Sequence, residues 1–212
     1  VTMNAIDYIY RFDPENPAGK PVPATAEEAR RTLEHGNQMF ARWMDSCHNG
    51  TANAGESRYV VPCNGYEVGM AGTPAAFPKQ APFAVVMGCS DARVPMEMLF
   101  GQGFNDLFVI RVAGNVLGDE CIGSIDFALS QSVKVVVMIG HSGCGAVTGA
   151  VDAYLNPLKF WSKSSSIMLR SILQRIFVAV REAANGLETV WGPAIREHPK
   201  FREVLIDSSV AL

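Results

Sequence analysis

The sequence predicts an α/β fold: a mostly parallel central β-sheet flanked by helices, with an amino-terminal helical arm. Three observations carry that expectation. Phe83 to Met87, Leu107 to Val112 and Lys134 to Ile139 are short apolar runs rich in valine. Helix-compatible segments separate them, at about Pro95 to Phe100 and Ile122 to Gln131. Near-continuous apolar strands alternating with helices belong to parallel sheets covered on both faces. Each run also ends in a polar or glycine-rich turn, at Gly88 to Arg93, Ala113-Gly114-Asn115 and Gly140 to Gly145.

The elements follow in chain order. Residues 1–23 contain Pro14, Pro17, Gly19, Pro21 and Pro23 and read as an extended arm. Thr25 with Glu28 three residues on forms a capping box. Ala29, Leu33, Phe40 and Met44 then recur at helical spacing, which predicts a helix from about Ala26 to Met44. Its apolar face includes Trp43 and packs either on its own core or on a partner subunit. From Asp45 to Lys79 the chain is rich in Gly, Asn, Ser and Pro and reads as a long surface loop or insertion. The core begins at Pro82. After Val151, Leu169, Ile172, Leu173, Ile176 and Val180 mark an amphipathic helix with a cap signal at Asn185-Gly186. Residues 1–79 are thus arm, helix and loop, and residues 80–212 an α/β domain that carries the chemistry, one domain overall.

Composition narrows the function. A chain of 212 residues, 48% of them hydrophobic and 18% charged, suffices for one well-buried core. The net charge of -3, with no concentration of Lys or Arg, argues against nucleic acid or an anionic membrane surface and favours a small or neutral partner. The longest apolar run, within Val133 to Gly140, falls far short of the roughly 20 residues that span a bilayer. No charged segment followed by an apolar one opens the chain, so the cytoplasm is the default compartment. Export or an organelle is the alternative if a leader has been removed before Val1. Five cysteines, an odd number without scaffold density, read as reduced thiols. A Cys47 to Cys63 bridge is the alternative in an exported protein.

Ligands of open α/β sheets bind outside the carboxyl ends of the strands. That places Cys89 after the first run and His141 and Cys144 after the third on one edge. Thiolate and imidazole are the usual ligands of zinc. A structural zinc has four protein ligands, a catalytic one three plus water or substrate. Singly, each of these residues would be a buried thiol or a satisfied turn histidine; together they point to a metal. Asp91 and Arg93 form a second pair. Asp91 either accepts a hydrogen bond from a metal-bound water, whose pKa zinc lowers to about 7, or fills the fourth position and closes the site. Arg93 holds it by a charge-assisted contact in either case. A plain salt bridge beside a turn is the bland alternative.

Cys89-x-Asp91-x-Arg93 followed by His141-x-x-Cys144 resembles the β-class carbonic anhydrases. The likeness extends through Gln80-Ala-Pro-Phe, Gly88-Cys-Ser-Asp-Ala-Arg-Val-Pro, Asp106-Leu-Phe-Val-Ile-Arg-Val-Ala-Gly-Asn and Gly140-His-Ser-Gly-Cys-Gly-Ala-Val, covering about Gln80 to Val151. Asn37-x-x-Phe40 is weakly similar to the family's amino-terminal region. The resemblance implies reversible hydration of carbon dioxide to bicarbonate and a proton, with one zinc per chain on Cys89, His141 and Cys144 and a hydroxide oriented by Asp91 and Arg93. It implies substrate contacts from Gln80, the backbone N–H of Gly145, Phe108 and Phe127, the last standing where many members have Tyr. It further implies a homodimer or dimer-based tetramer, with Met39, Phe40 and Trp43 on the embracing helix. Two departures stand out. Members with a regulatory bicarbonate site have Trp where this chain has Val86, although Arg111 matches another residue associated with that site. A final Gly-x-x-Tyr-Asp strand does not occur before Leu212. Hydrolysis of carbonyl sulfide or carbon disulfide by the same centre, and a noncatalytic zinc protein closed by Asp91, are the alternative functions.

Overall fold

The computed structural model describes residues 7–13, 15, 21–49, 58–68, 78–158 and 166–212. In chain order the elements are β1 (Asp7–Phe12), α1 (Ala26–His48), β2 (Arg58–Cys63), β3 (Ala84–Gly88), α2 (Met96–Leu99), β4 (Leu107–Arg111), α3 (Asp119–Leu129), β5 (Val135–Ile139), α4 (Gly145–Leu155), α5 (Ile167–Trp191) and α6 (Phe201–Val210). Short 3-10 turns lie at Gly65–Val68, Ala113–Asn115 and Pro193–Glu197.

Strands β3, β4 and β5 form a sheet in the order β4-β3-β5. The Phe83 N–H donates to Asp106 O at the start of the β3–β4 pair, and the Val112 N–H donates to Gly88 O at its end. The two strands therefore ascend together, as parallel strands do. The Lys134 N–H, just before β5, likewise donates to Phe83 O, just before β3. The fold is α/β, as the apolar runs predict. Every residue of β3 is buried, whereas β5, at the edge, alternates and leaves Val136 and Met138 exposed. Continuous burial thus holds only for the middle strand, which has a neighbour on each side.

The chain divides into two compact units that interleave in sequence: residues 1–86, 95–110 and 119–137 form one, and 87–94, 111–118 and 138–212 the other. In the first unit α1 starts where the capping box places it. The Glu28 N–H donates to Thr25 Oγ1 at 3.2 Å while Glu28 Oε2 accepts from the Thr25 N–H at 3.3 Å. The helix continues past Met44 to His48. Gly36 is in close contact with the Phe100 carbonyl, and the Asn37 side-chain amide donates to Leu99 O at 3.1 Å, satisfying a carbonyl at the end of α2.

Two regions expected to lack regular structure contain strands. Within the amino-terminal arm, β1 pairs in parallel with β2, from the segment read as a loop, in the register Asp7 to Arg58 through Phe12 to Cys63. Aromatic packing holds this two-stranded sheet to α1: Tyr8 stacks on Tyr59 with ring centroids 5.2 Å apart, and Trp43 lies 5.6 Å from Tyr59 and 6.1 Å from Tyr8. Trp43 thereby packs on its own chain. Pro62 is tolerated because in a two-stranded sheet both strands are edges. Residues 50–57 and 69–77, the rest of the expected loop, lie outside the described residues, as do residues 1–6, 14 and 16–20 of the arm. Cys47 and Cys63 are not bridged to each other.

The second unit has its own core of Val147, Val151, Leu173, Ile176, Val180, Leu205 and neighbours, with α4 and α6 packed on α5. Leu173, Ile176, Val180, Ala183 and Ala184 are the buried stripe of α5, at helical spacing. The expected end at Asn185-Gly186 is overturned. The helix runs on to Trp191 and stops at Gly192, whose φ of 79° leaves the helical region and precedes Pro193. The apolar stripe continues through Ala184 to Leu187, so packing carries the helix across a weak stop signal. Among the described residues no helix is long and apolar enough to cross a membrane.

Candidate metal centre

The site belongs to the second unit and is built from three turns. Cys89 follows β3, Gly114 lies in the turn after β4, and His141 and Cys144 lie in the turn between β5 and α4. Ligand atoms of Cys89, His141 and Cys144 all lie within 4.8 Å of one another. The two Sγ atoms are 3.9 Å apart, and two sulfurs each 2.3 Å from a tetrahedral zinc would stand about 3.8 Å apart. His141 Nδ1 is 3.0 Å from Ser142 O. A carbonyl only accepts, so Nδ1 carries the proton and the lone pair rests on Nε2. That Nε2 is buried without a hydrogen-bond partner. An unsatisfied buried acceptor costs about 1–3 kcal/mol, a cost that coordination to a metal removes. The donor set therefore fits a borderline-soft ion such as zinc.

The two thiols are held differently. Burial pushes the Cys89 thiol up, but the His141 side chain beside it, the hydrogen bond from the backbone N–H of Gly114 at 3.3 Å and neighbouring groups outweigh that and leave Cys89 below the ordinary thiol range. Burial pushes the Cys144 thiol up, against the N–H groups of Val147 and Ala146 in the first turn of α4, for which Cys144 is the N-cap residue. Two thiolates this close repel each other, a repulsion that a cation bound between them would relieve. Gly114 itself has φ +66°, and a Cβ there would meet Ile176 Cδ1 at 2.6 Å and Ala146 Cβ at 2.9 Å. Only glycine brings its N–H to the sulfur at that place.

Asp91 is turned toward Arg93. The Arg93 Nε–H and Nη2–H groups donate to Oδ1 and Oδ2 at 2.9 and 2.7 Å, and the Arg93 backbone N–H donates to Oδ1 at 2.9 Å. This bidentate contact holds the carboxyl well below the usual carboxylate range. The second Arg93 contact, Nη2–H to Gly143 O at 3.0 Å, reaches the turn that carries His141 and Cys144. Asp91 Oδ2 stands 3.9 Å from His141 Nε2 and is not part of the three-residue ligand group. Arg111, at the end of β4, donates to Cys89 O at 3.2 Å and to Asp91 O at 2.5 Å. Sequence reasoning gave Arg111 no part in holding this turn. Its position at the carboxyl end of a strand beside Cys89 was the available signal. A cavity of about 530 Å³ opens against His141 and Cys144, with Val116, Ile139, Val147 and Ile176 among its apolar walls.

The other expected site residues have their own settings. The N–H of Gly145 opens α4, where the first N–H groups have no partner within the helix. In the first unit, Gln80 is exposed, and the Phe108 and Phe127 rings lie 6.1 Å apart, Phe127 half-exposed. Val86 is fully buried in β3.

A parallel-stranded α/β chain with a Cys-His-Cys ligand group at its strand ends agrees with the sequence comparisons. The profile of the family described as carbonic anhydrase matches residues 84–210, more than half of the chain. The chain belongs to the β-class carbonic anhydrase family. Over 75 residues it is 45% identical to carbonic anhydrase 2 of Mycobacterium tuberculosis and 47% identical to a carbonic anhydrase of Mycolicibacterium smegmatis, in each case across 35% of this chain and 36% of the relative. The aligned part thus spans just over a third of the length of these curated relatives. Among solved structures it is similar to a tetrameric β-carbonic anhydrase from Sordaria macrospora, at 24% identity and a TM-score of 0.46, across 62% of this chain and 60% of that one.

Proposed function

We propose that the protein is a zinc-dependent carbonic anhydrase that reversibly hydrates carbon dioxide to bicarbonate and a proton. The observation that carries this reading is the buried, unpartnered Nε2 of His141 beside the sulfurs of Cys89 and Cys144, with an ionised Asp91 at their edge. Bound by these three residues, zinc would supply the Lewis acidity that ionises water near neutral pH. Asp91, kept ionised by Arg93, is an acceptor that orients a proton-bearing nucleophile. Arg93, through Gly143, keeps that acceptor in register with the second ligand turn. The apolar walls beside His141 and Cys144 suit a substrate without net charge. Gln80 and the N–H of Gly145 are proposed as donors to substrate oxygen, and Phe108 and Phe127 as apolar contacts. The pairing of Asp91 with Arg93 favours this reading over a noncatalytic centre in which Asp91 is the fourth ligand.

Stopped-flow measurement of CO2 hydration, on protein shown to hold one zinc per chain, tests the proposal. Activity between pH 7 and 9 is expected; its absence from zinc-loaded protein would sink it. Met39 and Met44 on α1 are exposed, and we propose a homodimer, or a dimer-based tetramer, that covers such surface. Sedimentation as a monomer at low micromolar concentration would contradict that assembly.

A further inference from the structure

We infer that Arg111 is a positioning residue for Asp91, its guanidinium fork fixing the backbone of the Cys89–Asp91 turn; this rests on the function proposed above. The Asp91–Arg93 pair is internal to one short turn. Arg93 binds the carboxylate with side chain and backbone N–H alike, so that pair by itself fixes the carboxylate relative to the turn and not the turn relative to the strands beside it. Besides the Ser90 N–H to Val112 O and Gly114 N–H to Cys89 Sγ bonds, two arginine side chains tie the turn to other elements. One is Arg93 to Gly143 O. The other is Arg111, which donates through Nε to Cys89 O and through Nη2 to Asp91 O.

The base of this fork is rigid. Arg111 ends β4, and the backbone bonds Val112 N–H to Gly88 O and Ser90 N–H to Val112 O lock that strand end beside the turn. The carbonyls it grips belong to a metal-ligand residue and to the aspartate, two positions apart. Two diverging donors on one plane can span them, and a single ammonium cannot. The Gly114 N–H to Cys89 Sγ contact does not pass through Arg111, so removing the fork is expected to bear on where Asp91 stands rather than on whether a metal binds.

The test compares wild type with Arg111→Lys, which keeps the charge and loses the fork, and Arg111→Ala, which loses both. Zinc content, melting temperature, kcat, KM and a crystal structure are measured for each. Both variants are expected to fold and keep one zinc per chain, with KM unchanged and kcat about tenfold lower, the range typical of residues behind a metal's ligands. The structures should show Asp91 displaced together with Arg93, their mutual pair intact. Wild-type kcat in zinc-loaded Arg111→Lys, an unmoved Asp91, or loss of fold in both variants would overturn the inference. If wild type shows no CO2 hydration, the proposed function fails, and the position of Asp91 in the variants still decides the role of Arg111.

Discussion

The turn after β3 and the turn after β5 both carry thiol ligands, yet they are built in opposite ways. In the first, polar groups are bound: the Asp91 carboxylate takes three donors from Arg93, and the Cys89 and Asp91 carbonyls are held by Arg111. In the second, Ser142 O fixes one histidine nitrogen and the other is left buried without a partner. One turn is a finished hydrogen-bond network, and the other holds back a donor atom for something else. A buried polar atom left unsatisfied destabilises a fold unless a ligand uses it. The contrast therefore separates groups that orient from groups that ligate.

Cys144→Ala should break the comparison most severely, because it removes a ligand from the unfinished turn. Zinc content by elemental analysis should fall to background together with activity; retained metal would contradict the ligand assignment. Next in size, Asp91→Ala should leave zinc at one per chain and lower kcat by about 100-fold, within the range for positioned acid–base groups. A parallel loss of zinc would show that Asp91 ligates rather than orients. Gly114→Ala forces a Cβ against Ile176 and Ala146 at positive φ, and should cost about 1–3 kcal/mol in denaturant unfolding. Its zinc affinity should fall as the N–H leaves Cys89. The smallest effect belongs to a control far along the chain: Thr25→Ala removes the cap of α1 and should cost about 1 kcal/mol without changing zinc content.

The three apolar runs were legible as strands because burial of β3 and partial burial of β4 and β5 demand a continuous hydrophobic surface. Thr25 and Glu28 announced α1 because capping is a local interaction. β1 and β2 escaped notice because they are short, sit among Gly and Pro, and are stabilised by each other and by Trp43 across a wide gap in sequence. The end of α5 departs from its local stop signal at Asn185-Gly186 for a related reason, since distant packing overrides it. At the site, Cys89, His141 and Cys144 could be singled out because few residue types suit zinc. Arg111 could not be given its task, since its contacts are to backbone carbonyls, which leave no trace in residue type.

Zinc K-edge X-ray absorption on the loaded protein, wild type beside Asp91→Ala, tests the division between orienting and ligating groups most directly. The predicted first shell is two sulfurs, one imidazole nitrogen and one further light atom, the same in both proteins. A sulfur count other than two, or a shell that changes when Asp91 is removed, would contradict it.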